Sequence, residues 1–160
     1  MIRYSAEEHM RYMQTLHKRV SSAALMLETQ DGRLLILKAN YKKHWTVPGG
    51  VIDEHETPMQ AALRETLEEV GLTIDPETVI FVAVANRTGP VFDTYQFIFK
   101  APLSDKDIAD IVLQKDEINE YEFVTREQVV SRDRYYGEVI HHWAAGRTGY
   151  IEQEFEKQQE

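Results

Sequence analysis

Short apolar runs alternate with polar turns along most of the chain, and their periods predict strands interleaved with helices. Ser5 with Glu8 three positions on has the form of a capping box, and Met10, Met13 and Leu16 recur at helical spacing. Residues 5–17 are therefore expected to form a short helix lying outside the main sheet. Residues 20–28 and 33–37 read as strands joined by Gln30-Asp31-Gly32, because an Asp-Gly between apolar runs is a strong hairpin signal. A short strand is expected at 45–47, with Trp45 in the core. Residues 79–85 and 92–100 read as two further strands, the second alternating Tyr95, Phe97 and Phe99, with a turn-rich connection at 86–90 between them. Farther on come a polar loop or short helix at 105–110, a strand at 122–124 and a short helix opened by Thr125 and Gln128. A C-terminal helix is expected over about 135–145, with Val139, Ile140 and Trp143 toward the core. The charged tail 153–160 is expected to fray. With no internal repeat or linker, the pattern predicts one α/β domain over residues 1–160, a mixed sheet with flanking helices.

The best-marked helix follows Pro48-Gly49-Gly50, which reads as a glycine turn. Thr57 suits the N-cap with Gln60 three residues later, Pro58 suits the first helical position, and Gly71 suits the stop. On a helical wheel Met59, Ala62, Leu63, Thr66, Leu67 and Val70 share one side, the predicted buried face. Glu65, Glu68 and Glu69 fall together on another, at the spacing that brings side chains within reach of each other. Three such carboxylates repel by a few tenths of a kcal/mol per pair even in water. A hard divalent cation with oxygen ligands, Mg²⁺ or Mn²⁺, would turn that repulsion into a binding site. A merely solvated acidic face has the same pattern, so the helix alone leaves both readings open.

Composition narrows the class. A chain of 160 residues with 42% hydrophobic positions suffices for one well-sized core and matches neither a disordered nor a membrane protein. No apolar run approaches a membrane span, and the first residues lack a signal-peptide core, so a cytoplasmic location is expected. The absence of cysteine removes disulfides and thiolate metal sites. The six histidines form no HxxxH pair, and adjacent His141 and His142 point to opposite sides of a helix, so a histidine-based metal site is not expected. A net charge of −9 argues against broad binding to nucleic acid or anionic lipid, but not against a phosphorylated small molecule met by a metal and a few basic residues. Such residues stand in two loops. Lys42, Lys43 and His44 precede the glycine turn, and Arg87 lies in the 86–90 connection. Each is a candidate substrate contact; a soluble surface loop explains residues 42–44 equally well, and an exposed loop arginine such as Arg87 is more often only solvated.

The spacing resolves the choice left open by the helix. Gly50, five residues, Glu56, seven residues, Arg64-Glu65, two residues, Glu68-Glu69, one residue and Gly71-Leu72 resemble the Nudix box, GX5EX7REUXEEXGU with U aliphatic. A chance match is expected in roughly one of several hundred thousand chains of this composition. Thr66 stands where the family usually carries an aliphatic residue, a departure that bears on packing and leaves the carboxylates untouched. The resemblance covers residues 48–72 and implies the Nudix α-β-α sandwich. It also implies a hydrolase that cleaves the diphosphate linkage of a nucleoside diphosphate derivative with Mg²⁺ or Mn²⁺.

Carried over position by position, the resemblance makes Glu68 and Glu69 the principal metal ligands. Glu65 becomes a further ligand or the base that takes a proton from the attacking water. Arg64 would hold the glutamates in place, and Glu56 would support the site by pairing with that arginine or through metal-bound water. The carbonyl of Gly49 matches a backbone metal ligand. A further glutamate from a later loop is common in the family, and the stretch 115–120 resembles that region, with Glu117 the first choice and Glu120 the second.

Substrate choice is not marked. Pro90 and Tyr95 lie near, but not at, the positions that family subtypes use as markers. Nucleoside triphosphates, ADP-ribose or another nucleotide sugar, dinucleoside polyphosphates and capped RNA ends all remain candidates, the acidic surface disfavouring the last. A non-catalytic nucleotide-binding regulatory module is the alternative from another class, although such modules often lose box carboxylates and all are retained here. Isomerisation of a prenyl diphosphate relies on a cysteine in its known family, and this chain has none. Family members are often dimers, and the N-terminal helix with Met10, Tyr12 and Met13 could serve as a homodimer interface or as a cover for the core.

Overall fold

The computed structural model describes residues 5–89, 93–132 and 135–154. Its elements run α1 (Ala6–Thr15), β1 (Val20–Thr29), β2 (Leu34–Ala39), β3 (Gly49–Val51), α2 (Pro58–Val70), β4 (Ile80–Thr88), β5 (Thr94–Leu103), α3 (Asp105–Ala109), β6 (Ile118–Val124), α4 (Arg126–Ser131), α5 (Glu138–Ala144) and β7 (Gly149–Glu154). A single 3-10 turn, Pro76–Thr78, leads into β4.

The strands form one seven-stranded sheet in the order β6-β2-β1-β5-β4-β7, with β3 also paired to β1. The sheet is mixed. β1 runs parallel to β5 and β4 parallel to β7, while the β1–β2, β1–β3, β2–β6 and β4–β5 pairs are antiparallel. The central strands are apolar on both faces because both faces are covered, as in α/β sheets generally. Ala23, Leu25 and Leu27 of β1 join Ala61, Ala62 and Val70 of α2 in one core. Ala24 and Met26 of the same strand join Val129 of α4 and Val139, Ile140 and Trp143 of α5 in the other. Each fully buried leucine in these layers contributes about 1.5–3 kcal/mol. Helices on both faces of a mixed sheet make the α-β-α sandwich that the sequence implied.

Most expected elements are present, and the differences concern the site. The supposed glycine turn is strand β3, with Gly49 opposite Ala24 and Gly50 opposite Ala23. The strand expected at 45–47 is reduced to single bridges, Thr46 to Leu37 and Trp45 to Tyr136, although Trp45 is buried as expected. Asn86, Arg87 and Thr88 are not loop residues: β4 continues through them, paired with β5. β7 was not foreseen, because Gly149–Glu154 is polar and gains its place by pairing with β4 at the sheet edge. α5 is shorter than expected, since Tyr136 is buried against Trp45 before the helix begins. α1 has its capping box and no buried residue. Pro90 and the start of the strand expected at 92, like the tail from 155, lie outside the described residues. No helix among the described residues is long and apolar enough to cross a membrane.

Candidate functional site

α2 begins as its sequence dictates, with reciprocal bonds between Thr57 and Gln60 and Pro58 in the first turn. Its buried arc is turned from the expected one toward the carboxylates. Ala61, Ala62, Thr66, Glu69 and Val70 are buried, whereas Leu67 is 50% exposed. Thr66, the departure from the aliphatic pattern, is fully buried and its hydroxyl donates to the Ala62 carbonyl, so its polar atom costs little. Glu69 is the consequence of that rotation: it is a carboxylate drawn into the protein, only 2% exposed.

One strand receives it. The backbone N–H of Gly49 donates to Oε2 of Glu69 at 3.0 Å. β3 can lie this close to β1 only because Gly49 lacks a side chain, since a Cβ there would fall 2.3 Å from the Ala23 carbonyl oxygen. A Cβ on Gly50 would fall 2.3 Å from Oε1 of Glu65, so that glycine is the space the second glutamate occupies. Burial pushes the Glu69 carboxyl up to about 7, with Glu65 and Glu117 adding to the rise and the Gly49 N–H and Lys42 opposing it.

Arg64 organises the remaining acids. Its Nε and Nη2 donate to the two oxygens of Glu56 at 2.9 and 3.0 Å, its Nη1 to Glu65 at 2.8 Å and Glu68 at 3.2 Å, and Nη2 also to the Val51 carbonyl. The Arg64 bond and the Asp53 N–H hold the Glu56 carboxyl below its ordinary range. The same carboxylates raise the Arg64 guanidinium further above its own. With Glu65 and Glu68 turned to this cation and Glu69 to Gly49, no three acidic or histidine side chains among the described residues are gathered closely enough to enclose a metal ion. The donor set nonetheless suits a hard cation. It is all oxygen, and it contains a carboxylate whose charged form burial disfavours, a penalty that an adjacent cation would offset.

These groups line a cavity of about 550 Å³ that includes Glu65, Glu68, Glu69, Glu117, Gly49 and Gly50. Of the two later glutamates considered, Glu117 reaches this lining, while Glu120 sits on β6 opposite Lys38. Among the basic candidates Arg87 and Lys42 line the cavity, whereas Lys43 and His44 lie outside the lining. Lys43 is exposed with its carbonyl bonded to Lys38. His44 packs edge-on to Tyr135, and burial helped by Lys42, Lys38 and Arg87 lowers its pKa. Tyr95 lies on β5 beneath the Arg19 guanidinium. Ser22, Tyr41, Thr46 and Gln96 line the cavity without having been singled out. For Gln96 a signal existed, because it is a polar position between the aromatic residues Tyr95 and Phe97.

A larger recess of about 820 Å³ opens beside Ile74, Ile80 and Leu103. Its lining is mostly apolar and contains none of the α2 glutamates, so the smaller cavity is the chemically equipped one.

Comparison with known proteins gives the same frame. The sequence model of the NUDIX domain matches residues 17–143. The protein called uncharacterized Nudix hydrolase lin0387, from Listeria innocua, is 36% identical over 107 residues, a match spanning 62% of this chain and 60% of that protein. The NUDIX domain of Shewanella oneidensis NrtR, solved with ADP ribose, superposes with a TM-score of 0.70 at 14% identity, covering 89% of this chain and 97% of that one. A MutT protein from Methanosarcina mazei gives a TM-score of 0.65 at 20% identity, covering 82% and 95%.

Proposed function

This chain belongs to the NUDIX family, and from that premise we propose that it is a metal-dependent hydrolase cleaving the diphosphate linkage of a nucleoside diphosphate derivative. The observation that supports this reading best is the meeting of Glu65, Glu68, Glu69 and Glu117 with Lys42 on the lining of one cavity. Glu68 and Glu69, with Glu65, Glu117 and the Gly49 carbonyl, would hold Mg²⁺ or Mn²⁺. When bound, the cation supplies charge neutralisation for the diphosphate and acidifies water at neutral pH.

The chain's own groups do the rest. Arg64 holds the Glu65 and Glu68 side chains in the lining and ties α2 to the loop through Glu56. Gly49 orients Glu69 through its N–H. Lys42 brings positive charge to the phosphate side of the cavity. Glu65, pressed against Gly50, serves either as a ligand or as the acceptor of the proton released by the attacking water.

A panel of nucleoside diphosphate derivatives, incubated with Mg²⁺ or Mn²⁺ and read by released phosphate and cleaved bond, tests the reading. Cleavage of at least one derivative, abolished by chelation, is the expected result. Tight binding of nucleotides without cleavage in either metal would overturn it in favour of a regulatory binding module.

A further inference from the structure

We infer that Asn40 positions Glu117, holding that carboxylate on the cavity lining so that it completes the set of metal ligands. The inference rests on the hydrolase reading of the site, and it gives a role to a residue outside the lining itself.

The carboxylates of α2 stand on a helix, but Glu117 stands on an exposed turn, residues 115–117, just before β6. A ligand on an unanchored turn must be ordered as the cation binds, and the entropy lost weakens binding. This turn is anchored beforehand.

Two peptide planes flank Glu117, and each is held at both ends. In the plane before it, the Asp116 carbonyl accepts from the Asn40 side-chain amide, and the Glu117 N–H donates to the Gln114 carbonyl at 3.0 Å. In the plane after it, the Glu117 carbonyl accepts from the Asn40 N–H at 2.8 Å, and the Ile118 N–H donates to the same Gln114 carbonyl at 2.8 Å. The two planes set the backbone dihedrals of Glu117, so fixing them fixes the direction in which its side chain leaves.

The anchors are themselves tied to the site. The Gln114 N–H donates to the Glu69 carbonyl at 3.1 Å, which joins the turn to the backbone of the buried glutamate of α2. Asn40 follows directly on β2, where the pairing with β6 shifts between Lys38, opposite Glu120, and Ala39, opposite Ile118. On its other side, Lys38 Nζ donates to the Lys42 and Lys43 carbonyls at 2.9 and 2.7 Å, so the chain leaving Asn40 is held as well.

Of the four bonds on the two planes, three run from backbone to backbone and ask for no particular side chain. The fourth needs the Asn40 amide. Because the Asp116 carbonyl lies at an exposed turn, water would satisfy it nearly as well, so what the amide adds is orientation. Bonds that orient metal ligands in this way are commonly worth 10- to 100-fold in metal affinity.

A double-mutant cycle on the full chain tests this, with Mn²⁺ alone titrated by calorimetry in the absence of nucleotide. Asn40→Ala keeps the backbone N–H and removes only the amide, and it should weaken Mn²⁺ binding about tenfold or more. Glu117→Gln should weaken binding too, and the double variant should bind no more weakly than Glu117→Gln alone, because Asn40 acts through Glu117. The Mg²⁺ concentration for half-maximal turnover should rise in Asn40→Ala alongside the loss of Mn²⁺ affinity. A merely structural asparagine would lower the thermal midpoint and leave Mn²⁺ affinity within about twofold of the parent. That result would overturn the assignment, as would an equal loss from Asn40→Ala in both backgrounds. Unchanged affinity in Glu117→Gln, or no Mn²⁺ binding by the parent, would remove Glu117 from the ligands and the inference with it. If no nucleotide derivative is cleaved, the hydrolase reading falls, while the Mn²⁺ cycle still decides this one.

Discussion

The main-chain N–H of Gly49 holds the carboxylate of Glu69 at 3.0 Å, joining the innermost strand of the cavity to the buried side of α2. Strand and helix are thereby fixed to each other at a charge, where an apolar contact would normally serve. That arrangement has a cost. Burial disfavours the carboxylate, and its pKa of about 7 lies above the 4.5 of an ordinary glutamate.

Glu69→Gln should therefore stabilise the metal-free protein while disabling it. Between pH 4.5 and about 7 the folded chain holds a proton at Glu69 more readily than the unfolded chain does. Stability from this group is thus lost as pH rises through that window and stays lost above it. Glutamine accepts the Gly49 N–H without the charge. Denaturant unfolding in chelator should show the variant more stable at pH 8, on the order of 2 kcal/mol, with little difference at pH 5. Turnover with metal should fall about a hundredfold or more. Turnover at the parent rate would remove Glu69 from the metal site.

The two glycines beside it should separate packing from chemistry. A methyl at Gly49 meets backbone, 2.3 Å from the Ala23 oxygen and 2.8 Å from the Ala24 Cα, so β1 and β3 must part. A methyl at Gly50 meets only the flexible end of Glu65, which can swing aside. Gly49→Ala should lose about 2 kcal/mol or more. Gly50→Ala should keep its melting temperature within a few degrees and lose activity through the displaced glutamate. Equal loss of stability in the two variants would contradict this division.

Much of this site was legible because its signals are local. Thr57, Pro58 and Gln60 start α2 through bonds three residues apart, and the spacing of Glu56, Arg64, Glu65 and Glu68 carries their pairing. What the sequence did not carry depends on partners distant in the chain. The wheel placed Leu67 inside because it is apolar, but Gly49, twenty residues earlier, turns the Glu69 side inward instead. Arg87 and Gln96 looked unrelated, one in a supposed loop, until the register of β4 with β5 set them together. β7 had no apolar alternation to announce it and exists only through its pairing with β4.

Arg64→Lys should show what the fork does. An ammonium cannot donate two parallel bonds to Glu56 while reaching Glu65 and Glu68 as the guanidinium does. The melting temperature should fall by a few degrees at pH 7, and activity more, because the glutamates lose their common anchor. The Glu56 carboxyl is held below its ordinary value, so its contribution is present above the usual carboxylate range and lost as pH falls through the lowered pKa. The difference between parent and variant should accordingly shrink on acidification. A difference independent of pH would assign the loss to packing instead of the ion pair.

His142 should set part of the acid sensitivity of the face opposite α2. It is 5% exposed on α5, packed where β7 brings Gln153 alongside. Burial lowers its pKa, with Arg147 and His141 acting the same way and Glu138 and Gln153 opposing. The unfolded chain protonates this imidazole near its ordinary value of about 6.5, and the folded chain only at lower pH. Stability from His142 is therefore complete above that value and is lost as pH falls toward the lowered one. His142→Gln keeps a polar side chain that does not titrate, so its thermal unfolding should decline less between pH 7.5 and 5.5 than that of the parent. The exposed histidines His9, His17, His55 and His141 remain in both proteins, so the comparison isolates the change at residue 142. Parallel stability curves for the two would show that His142 is not the group that senses acid.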